Sequence, residues 1–262
     1  MAKYEKIADD LRKRIEDGEW EPGAKLPSET PELTSQYKTS LPTIRQALAV
    51  LAAEGTVDKV HGRGNFVRKP RQLVVRSNER HQWEKDRARQ PQETREMTGA
   101  TERDTGLGLG DLDFSAVFRK VEAAPDLADL FAVPAGTALL ERTYRTSYRE
   151  EGVPLNLVHS YLVYEVVQAN PDLLEASREP WPGGTQNQLF TIGIELDRVV
   201  EHITARPPTA EEAEELDLRA GVSVFALRKI SYDTDGRVVE VSNVILPGDR
   251  TEMVFTTPLN RW

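Results

Sequence analysis

The stretch PTIRQALAVL at residues 42–51 decides how the first quarter of the chain is interpreted. Apolar residues recur in it at steps of three and four, the spacing of one helix face: Ile44, Ala47, Leu48 and Leu51. The opposite face carries the polar side chains of Thr43, Arg45 and Gln46. Pro42 suits the first turn of a helix, because the N–H that proline lacks has no partner there in any case. The pattern therefore predicts an amphipathic helix with a polar outer face.

Two further helices and a hairpin are predicted around this helix. Residues 4–17 carry an apolar stripe at helical spacing, and Ser28 can cap a short second helix that ends in a turn at residues 38–40. Residues 56–67 contain two short strand-like runs on either side of the turn His61-Gly62-Arg63-Gly64. Three helices followed by a hairpin, in this order, predict a winged helix-turn-helix.

The composition excludes several classes of site. The 262 residues include no cysteine, which rules out disulfide frameworks, thiolate metal sites and cysteine nucleophiles. No apolar run approaches the ~18 residues of a membrane span, and the charged start of the chain is unlike a signal peptide. We therefore expect a cytoplasmic protein with no cofactor and no metal.

The net charge of −9 is unevenly distributed along the chain. Residues 1–70 hold 12 Lys and Arg against 11 Asp and Glu, residues 71–95 hold 7 against 4, and residues 96–262 hold 15 against 28. Residues 71–113 lack periodicity apart from one short apolar run, so we expect a basic linker and lead-in segment there. A DNA-binding domain at residues 1–70 and a second domain at residues 114–262 would then have different partners.

The region from residue 114 onward contains an internal repeat. A helical segment followed by two strand-like runs occurs twice, and its turn glycines recur 85 and 84 residues apart: Gly136 with Gly221, and Gly152 with Gly236. Each copy supplies two pairable strands and one covering helix, which predicts an antiparallel sheet with helices. Thr209 and Glu212 are spaced as a capping box for the helix of the second copy.

Short runs in the first domain match a known family: Ile7-Ala8, Leu26-Pro27-Ser28-Glu29, Thr43-Ile44-Arg45-Gln46-Ala47-Leu48, Glu54-Gly55 and Gly62-Arg63-Gly64-Asn65-Phe66-Val67. With them, residues 4–67 resemble the DNA-binding domain of GntR-family bacterial transcription regulators. Further runs follow in the second domain: Val133-Pro134-Ala135-Gly136, Gly152-Val153-Pro154, Ser160-Tyr161, Asp235-Gly236-Arg237 and Gly248-Asp249-Arg250. This part is similar to the effector-sensing UTRA domain of the HutC-like branch. The resemblance implies an α+β fold, in which the winged helix-turn-helix precedes a chorismate-lyase-like antiparallel sheet domain with helices.

The resemblance also implies a function. We expect a sequence-specific DNA-binding repressor whose operator affinity is modulated by a small-molecule effector bound at residues 114–262. The expected partners are double-stranded palindromic operator DNA, a small anionic effector and a second copy of the chain, with no membrane partner. Two alternatives stay open, an enzyme with a chorismate-lyase-like domain and a repressor with a vestigial sensor. Against an enzyme, the four histidines lack metal-ligand spacing and the chain has no nucleophile elbow.

The DNA-binding residues are expected on the helix at residues 42–51 and in the hairpin turn. Arg45 is expected to read guanine or clamp a phosphate in the major groove, and Arg63 to enter the minor groove. Thr30 and Leu41 stand where the family commonly has arginines, so the operator is expected to differ from the usual half-site. The candidate DNA-binding residues are Tyr4, Thr30, Ser40, Leu41, Pro42, Thr43, Arg45, Gln46, His61, Gly62, Arg63 and Gly64.

The effector site is expected where polar groups converge on the sheet. Arg142 and Arg145 stand three apart on one strand and face opposite sides, so at most one of them enters a pocket. Residues 184–187 begin a helix, whose N–H groups favour an anion. The candidate effector residues are Arg142, Arg145, Asn156, Tyr161, Gly184, Thr185, Gln186, Asn187 and Glu240. A core position for Tyr161 and a surface ion pair for Glu240 are the alternatives.

Overall fold

The computed structural model describes residues 2–219 and 221–260, and the chain divides into two units. One unit is formed by the residues up to Arg71 and the other mainly by those after it. The first unit consists of α1 (Lys3–Glu16), a wide helical turn (Glu29–Leu33) leading into α2 (Thr34–Gln36), α3 (Leu41–Ala53), β1 (Val57–Val60) and β2 (Gly64–Val67).

The apolar stripe of residues 42–51 is the buried face of α3. Ile44, Ala47 and Leu51 are completely shielded from solvent, and they share one core with Leu11 of α1 and Leu33. The strands β1 and β2 pair antiparallel and close the unit. The predicted winged helix-turn-helix is confirmed.

The second unit is built on one antiparallel sheet of six strands, in the order β4-β5-β6-β9-β8-β7. Its strands are β4 (Leu112–Glu122), β5 (Ala138–Tyr148), β6 (Val153–Val163), β7 (Leu196–Arg206), β8 (Val224–Asp233) and β9 (Val238–Pro247). Each copy of the repeat supplies two neighbouring strands, β5 with β6 and β8 with β9, and each copy is preceded by one edge strand, β4 or β7. The strands β6 and β9 pair at the centre and join the two copies. The predicted α+β architecture is confirmed. Ala220, within the second copy, lies outside the described residues.

Helices cover both faces of this sheet. On one face lie α7 (Pro125–Phe131), which packs on Leu139 and Val241, and α10 (Ala210–Glu215), whose C-cap Leu216 packs near Leu157. On the other face lies α9 (Gly184–Thr191), where Leu189 packs against strand residues. Between β6 and α9 come the short helix α8 (Tyr164–Val167) and two single 3-10 turns (Pro171–Leu174 and Ala176–Arg178), and another 3-10 turn (Leu109–Asp111) precedes β4. The predicted capping box of α10 is present, since Glu212 N–H donates to Thr209 Oγ1 at 3.2 Å and Thr209 N–H donates to Glu212 Oε2 at 2.8 Å.

The segment expected to be a linker contains regular structure. It holds β3 (Val74–Ser77), α4 (Arg80–Ala88), α5 (Gln92–Glu96) and α6 (Ala100–Thr105), and β3 pairs in parallel with β10 (Thr251–Val254). The expectation of an irregular basic linker at residues 71–113 was therefore wrong. The physical reason is that α4 turns charged side chains inward, among them the buried Arg87, so apolar periodicity could not indicate it.

Candidate functional site

The first unit presents an exposed polar surface at the start of α3. Ser40 is the N-cap of this helix, and its Oγ lies 3.0 Å from Oγ1 of Thr43. Pro42, Arg45 and Gln46 are exposed, whereas Leu41 and Thr43 are half-buried. The polar outer face expected from the sequence therefore stands in solvent over the first two turns of the helix.

Glu29 holds Arg45 in this unit. Arg45 Nε donates to Glu29 Oε2 at 2.8 Å, although 59% of the arginine side chain is exposed. This hydrogen bond holds the pKa of Glu29 below its usual value. Asn65 of β2 donates to the other oxygen of Glu29 at 3.3 Å. One carboxylate thus contacts a side chain of α3 and a side chain of the hairpin.

The tip of the hairpin carries the second group of candidates. His61, Gly62 and Arg63 are exposed, and the Arg63 guanidinium lies 5.8 Å from the centre of the Phe66 ring. Gly62 and Gly64 have φ values of 72° and 116°, which only glycine adopts without strain. The turn therefore presents Arg63 at an exposed tip.

Thr30 and Tyr4 lie outside both groups. Thr30 is exposed beside the helical turn before α2. Tyr4 packs partly on the core of the unit, and its hydroxyl donates to Glu5 at 3.3 Å. Tyr4 is thus partly a packing residue.

The second unit contains a cavity of about 730 Å³ on the α9 side of the sheet. Its floor is formed by strand residues and its other walls by α4, the α5–α6 region and residues 179–185. Residues that line it from the strands are Leu112, Phe114, Tyr144, Thr146, Asn156, Val158, Ser160, Lys229, Glu240, Ser242, Val244 and Leu246.

Directly paired positions of neighbouring strands cross the sheet at the cavity. We call one such set the charged row: Arg142, Ser160, Ser242, Lys229 and Glu201 on β5, β6, β9, β8 and β7. A second set of paired positions lies two residues further along the strands from the charged row. We call it the apolar row, and it consists of Tyr144, Val158, Val244 and Leu227. Because side chains alternate along a strand, both rows face the same side of the sheet.

Arg142 and Glu240 lie at the centre of a buried polar network. Arg142 is 1% exposed and Glu240 is 2% exposed, and an Arg142 Nη2 to Glu240 Oε1 distance of 3.1 Å joins them. Arg142 also donates to Gln188 at 2.6 Å, Ser160 at 2.7 Å and Thr185 at 3.1 Å. These bonds tie β5, β6, β9 and the start of α9 together behind the cavity wall.

Lys229 completes the charge balance of this network. Its Nζ lies 2.8 Å from Glu240 Oε2. Burial alone would raise the pKa of Glu240, but the charges of Lys229 and Arg142 lower it to about 2. Glu240 is therefore ionised at neutral pH and has two cationic partners.

Side chains of β3 and α4 form a second charged cluster, which lies on the opposite side of the cavity from the sheet. Arg76 donates to Glu201 at 2.5 Å, and the His81 ring lies 3.2 Å from the same carboxylate. Arg80 pairs with Asp104 of α6 and lies 3.5 Å from Glu84. Burial would raise the pKa of Glu201, yet the hydrogen bond from His81 and the charge of Arg76 lower it to about 2. Burial raises the pKa of Asp104 in spite of Arg80.

Three arginines of this cluster have a buried donor without an acceptor. Within residues 2–219 and 221–260, Nε of Arg76, Arg80 and Arg87 has no hydrogen-bond partner, and all three side chains line the cavity. A buried N–H without an acceptor costs free energy, so an oxygen-bearing ligand near these side chains would be stabilised.

The start of α9 forms another wall. Gly183 has a φ of 94° and leads directly into the helix, whose first N–H groups have no partner within the helix itself. Gly184 and Thr185 line the cavity. This wall therefore also favours an anion.

The structure brings together some of the effector candidates. Asn156, Gly184, Thr185 and Glu240 line the cavity, and Arg142 lies directly behind them. A surface ion pair for Glu240, the alternative left open, does not agree with its burial.

Four other candidates lie elsewhere, which corrects the expectation for each. Arg145 faces the other side of the sheet and pairs with Glu215 at 2.5 Å. Tyr161 packs beside α7 and donates to Glu141 at 3.0 Å. Gln186 donates to the backbone oxygen of His81 at 2.9 Å, and the buried Asn187 donates to that of Ala88 at 2.7 Å. Strand alternation and helix rotation point these side chains away from the cavity.

Sequence reasoning missed the cavity residues of β3, α4 and α6. Arg76, Arg80, His81, Arg87 and Asp104 were assigned to the linker or its lead-in segment. The signal for the arginines among them was the excess of basic residues in residues 71–95, which was interpreted as a basic linker.

Neither a metal centre nor a membrane helix is found in the part of the chain that the structure describes. No three acidic or histidine side chains gather there as metal ligands. Likewise, no helix within residues 2–219 and 221–260 has both the length and the apolar character to cross a membrane.

Comparisons with known proteins match both units. The family model of bacterial regulatory proteins, gntR family, matches residues 3–67, and that of the UTRA domain matches residues 115–252. An HTH-type transcriptional regulator of Rhizobium meliloti is 29% identical over 98% of this chain and 96% of its own length. The histidine utilization repressor of Klebsiella aerogenes is 26% identical over 94% of this chain and 91% of its own length. The crystal structure of a GntR-family transcriptional regulator, 25% identical, superposes with a TM-score of 0.65 over 99% of both chains.

Proposed function

The chain belongs to the gntR family of bacterial regulatory proteins, and we propose that α3 and the hairpin read its operator while the cavity of the second unit binds its effector. It is a DNA-binding transcription regulator of the repressor type, with a UTRA domain for a small-molecule effector, and not an enzyme. We propose in addition which residues carry these two functions and to which chemical class the effector belongs.

In the proposed DNA complex, the first turns of α3 lie in the major groove. Arg45 and Gln46 are exposed there and can reach base edges or phosphates. When the complex forms, Arg45 breaks its hydrogen bond with Glu29 and contacts the DNA instead, because phosphate and guanine offer it charge-assisted or bidentate hydrogen bonds. Leu41 and Thr43 carry no charge on this surface, so Arg45 supplies much of its specificity.

The hairpin tip contacts the neighbouring minor groove in this proposal. Arg63 is exposed between two glycines, so the backbone can approach the DNA closely. His61 lies in the same turn and adds a second polar side chain. The DNA-binding domain would then comprise residues 1–70, and the protein would be associated with the nucleoid in the cytoplasm.

The proposed effector is an anion held in the cavity of the second unit. The observation that carries this proposal is the set of three cavity-lining arginines with buried, unpartnered Nε–H donors, Arg76, Arg80 and Arg87. Within the described part of the chain, six carboxylates also line the cavity. Glu240, Glu84 and Asp104 have cationic partners, Glu179 accepts from Tyr144 and Gln188, and Glu96 accepts from Gln92. The unmet hydrogen-bonding capacity in the cluster is therefore that of donors, which an anion satisfies.

A homodimer on palindromic DNA completes the proposal. A single winged helix-turn-helix makes too few phosphate contacts for tight binding, and two copies read half-sites about 34 Å apart, or multiples of that distance. The effector would bind one arrangement of the dimer better and so change its operator affinity by that difference. We assign dimerisation to the second unit, and the cavity supports a working sensor over a vestigial one.

Fluorescence anisotropy with promoter fragments tests both parts of this proposal. The protein should bind a fragment near its own gene with a strong salt dependence, and a panel of phosphorylated and carboxylated metabolites should contain one that changes this affinity. Arg80→Gln should lose the response to that metabolite. Arg145→Gln, the same change on the opposite face of the sheet, should keep it. Absence of binding to every fragment at low salt would contradict the operator assignment, and equal responses of the two variants would contradict the site assignment.

A further inference from the structure

The floor of the cavity changes from charged to apolar along the strands. We propose that the effector is an amphiphilic anion, with a carboxylate or phosphate head at the charged row and an apolar body along the apolar row. This inference rests on the proposed function, because it assigns a ligand class to the same cavity.

The charged row can hold only the head of such a ligand. Ser160, Ser242 and Lys229 line the cavity at this row, and Arg80 faces it from α4. The Ser160 and Ser242 hydroxyls donate to Glu240, at 2.7 Å and 3.1 Å, and Lys229 is ion-paired with the same carboxylate. The donors available to a ligand at this row are therefore cationic, the remaining ammonium hydrogens of Lys229 and the guanidinium of Arg80. An oxygen-rich anionic group is the chemistry that this end of the cavity recognises.

The apolar row offers a ligand almost no hydrogen bonds. Val158 and Val244 are directly paired across β6 and β9 and both line the cavity. The one polar group of the row is the Tyr144 hydroxyl, which donates to Glu179 at 2.8 Å. The Phe114 ring extends the apolar surface, with its centre 5.8 Å from that of Tyr144. A body rich in hydroxyl groups would leave them unpaired against these walls, whereas a hydrocarbon body would bury apolar surface.

The dimensions agree with a ligand larger than its head. Two residues along a strand span about 6.7 Å, so the apolar row begins one such step from the charged row. Thr146 and Asn156 pair one step further on, beside Phe114 and Leu246, and bound the apolar stretch with polar groups. The volume of about 730 Å³ lies within the range for drug-sized ligands, and an inorganic anion would fill only a small part of it.

A homologous series of probes tests the proposal on the full-length protein. Acetate, butanoate, hexanoate and octanoate share one head and differ only in the length of the apolar body. Each methylene that enters the apolar row should tighten binding by about fourfold, so octanoate should bind at least tenfold more tightly than butanoate in a calorimetric titration. Octyl phosphate distinguishes a phosphate head from a carboxylate head, and 1-octanol measures the body without a head.

Two matched variants locate the apolar body. Val158→Asn places an amide in the apolar row and should remove most of the gain from butanoate to octanoate. Val117→Asn makes the same change on β4 at a site that is 46% exposed and outside the cavity lining, and should keep the gain. If Val158→Asn fails to fold, the nearly isosteric Val158→Thr should reduce the gain in the same direction.

The outcomes separate this inference from the proposed function. Binding of acetate with no gain in affinity along the series would overturn the amphiphilic ligand and would leave the proposed anion site unchanged. Octanol binding as tightly as octanoate would overturn the role of the head. If none of the probes binds, while promoter DNA is still bound, the amphiphilic ligand is overturned, and the response of Arg80→Gln to the metabolite panel decides separately whether the cavity is the effector site.

Discussion

Arg142 and Arg145 show how the alternation of side chains along a strand determines which face of the sheet a residue occupies. They are three positions apart on β5 and therefore face opposite sides of the sheet. Arg142 is buried and contacts four side chains behind the cavity, whereas Arg145 is more than a third exposed and pairs with Glu215. The sequence indicated that at most one of them enters a pocket. Which one does so depends on the face that the helix α9 covers.

Replacement of Arg45 by alanine should weaken operator binding by about tenfold to a hundredfold. The side chain is exposed near the start of α3, where it can bond a base edge or a phosphate. Anisotropy titrations at several salt concentrations measure this. Loss of a base contact would also relax sequence selectivity. Loss of a phosphate contact would instead reduce the slope of log affinity against log salt concentration by about one.

Arg12→Ala is the matched control for this change. Arg12 pairs with Glu54, the C-cap of α3, which lies at the far end of the helix, roughly 18 Å from its start. Its removal should leave operator affinity within about twofold of the wild type. Equal losses for Arg12→Ala and Arg45→Ala would show that the start of α3 does not contact the operator.

Glu240→Gln should destabilise the second unit by about 3 kcal/mol. The substitution keeps the shape of the side chain but removes the carboxylate charge from the buried Arg142 and from Lys229. Urea unfolding followed by circular dichroism gives the change in the free energy of unfolding. Asp113→Asn, which breaks an exposed pair with Arg149, should leave the unfolding midpoint unchanged. A Glu240→Gln protein as stable as the Asp113→Asn protein would contradict the importance of the buried network.

The helix α4 shows why an entire element escaped sequence analysis. Its Arg80 and Glu84 are one turn apart, and they face the cavity together with Arg87. A pattern search asks for apolar residues at that spacing, and here the inward positions are charged. The Trp83 ring lies between two guanidinium groups, those of Arg87 at 4.6 Å and Arg103 at 4.7 Å from its centre. Such a helix gains its stability from partners on other elements, which local sequence does not reveal.

The folded state of this segment predicts its resistance to proteolysis. Residues 71–95 contain seven Lys and Arg, and a disordered linker would be cut by trypsin throughout. Because β3 and α4 are folded into the second unit, we expect early cleavage after Arg68 or Arg71, in the irregular stretch before β3, and slow cleavage after Arg80 and Lys85.

Limited digestion with mass spectrometry measures the order of these cuts. Heating the protein past its unfolding midpoint should make all sites equally sensitive, which controls for the intrinsic preference of trypsin. Early cleavage after Lys85 in the native protein would contradict the folded segment.

The chain combines a nearly neutral reading unit with an acidic sensing unit. Residues 1–70 hold almost equal numbers of basic and acidic residues, and residues 96–262 carry nearly all of the net negative charge. An acidic sensing unit is repelled by DNA, so we expect contacts with the operator only from the first unit. The effector can then act only through linkage, by binding one arrangement of the regulator more tightly than another.

Acid should destabilise the second unit between about pH 4.5 and pH 2. The pKa values of Glu201 and Glu240 are lowered to about 2 in the folded protein, below the value of about 4.3 for an unfolded glutamate. A lowered pKa contributes stability that is complete above the unfolded value and is lost as the pH falls toward the folded value. Asp104, whose pKa is raised, acts in the opposite direction.

Urea midpoints at pH 7, 4.5 and 3 check this prediction. The midpoint should fall most steeply below pH 4.5, and Glu201→Gln should flatten that fall. Glu165→Gln, a change at an exposed site, should not alter it. A midpoint independent of pH over this range would contradict the contribution of the buried carboxylates.

Apolar periodicity and glycine spacing were sufficient to predict the architecture of both units. The buried stripe of α3, the repeat that became a six-stranded sheet, and the capping box of α10 depend on residues close in sequence. Such patterns report local burial directly. The motif runs sufficed for the family as well.

The composition of the cavity depended on contacts between distant segments. Arg76 meets Glu201 across 125 positions of the chain, and Arg142 meets Glu240 across 98. A charged residue in a sequence looks the same whether water or a buried partner will neutralise it, because only folding brings the partner near. For that reason the exposed polar face of α3 could be predicted from the sequence, whereas the cavity residues of β3, α4 and α6 were identified only in the folded chain.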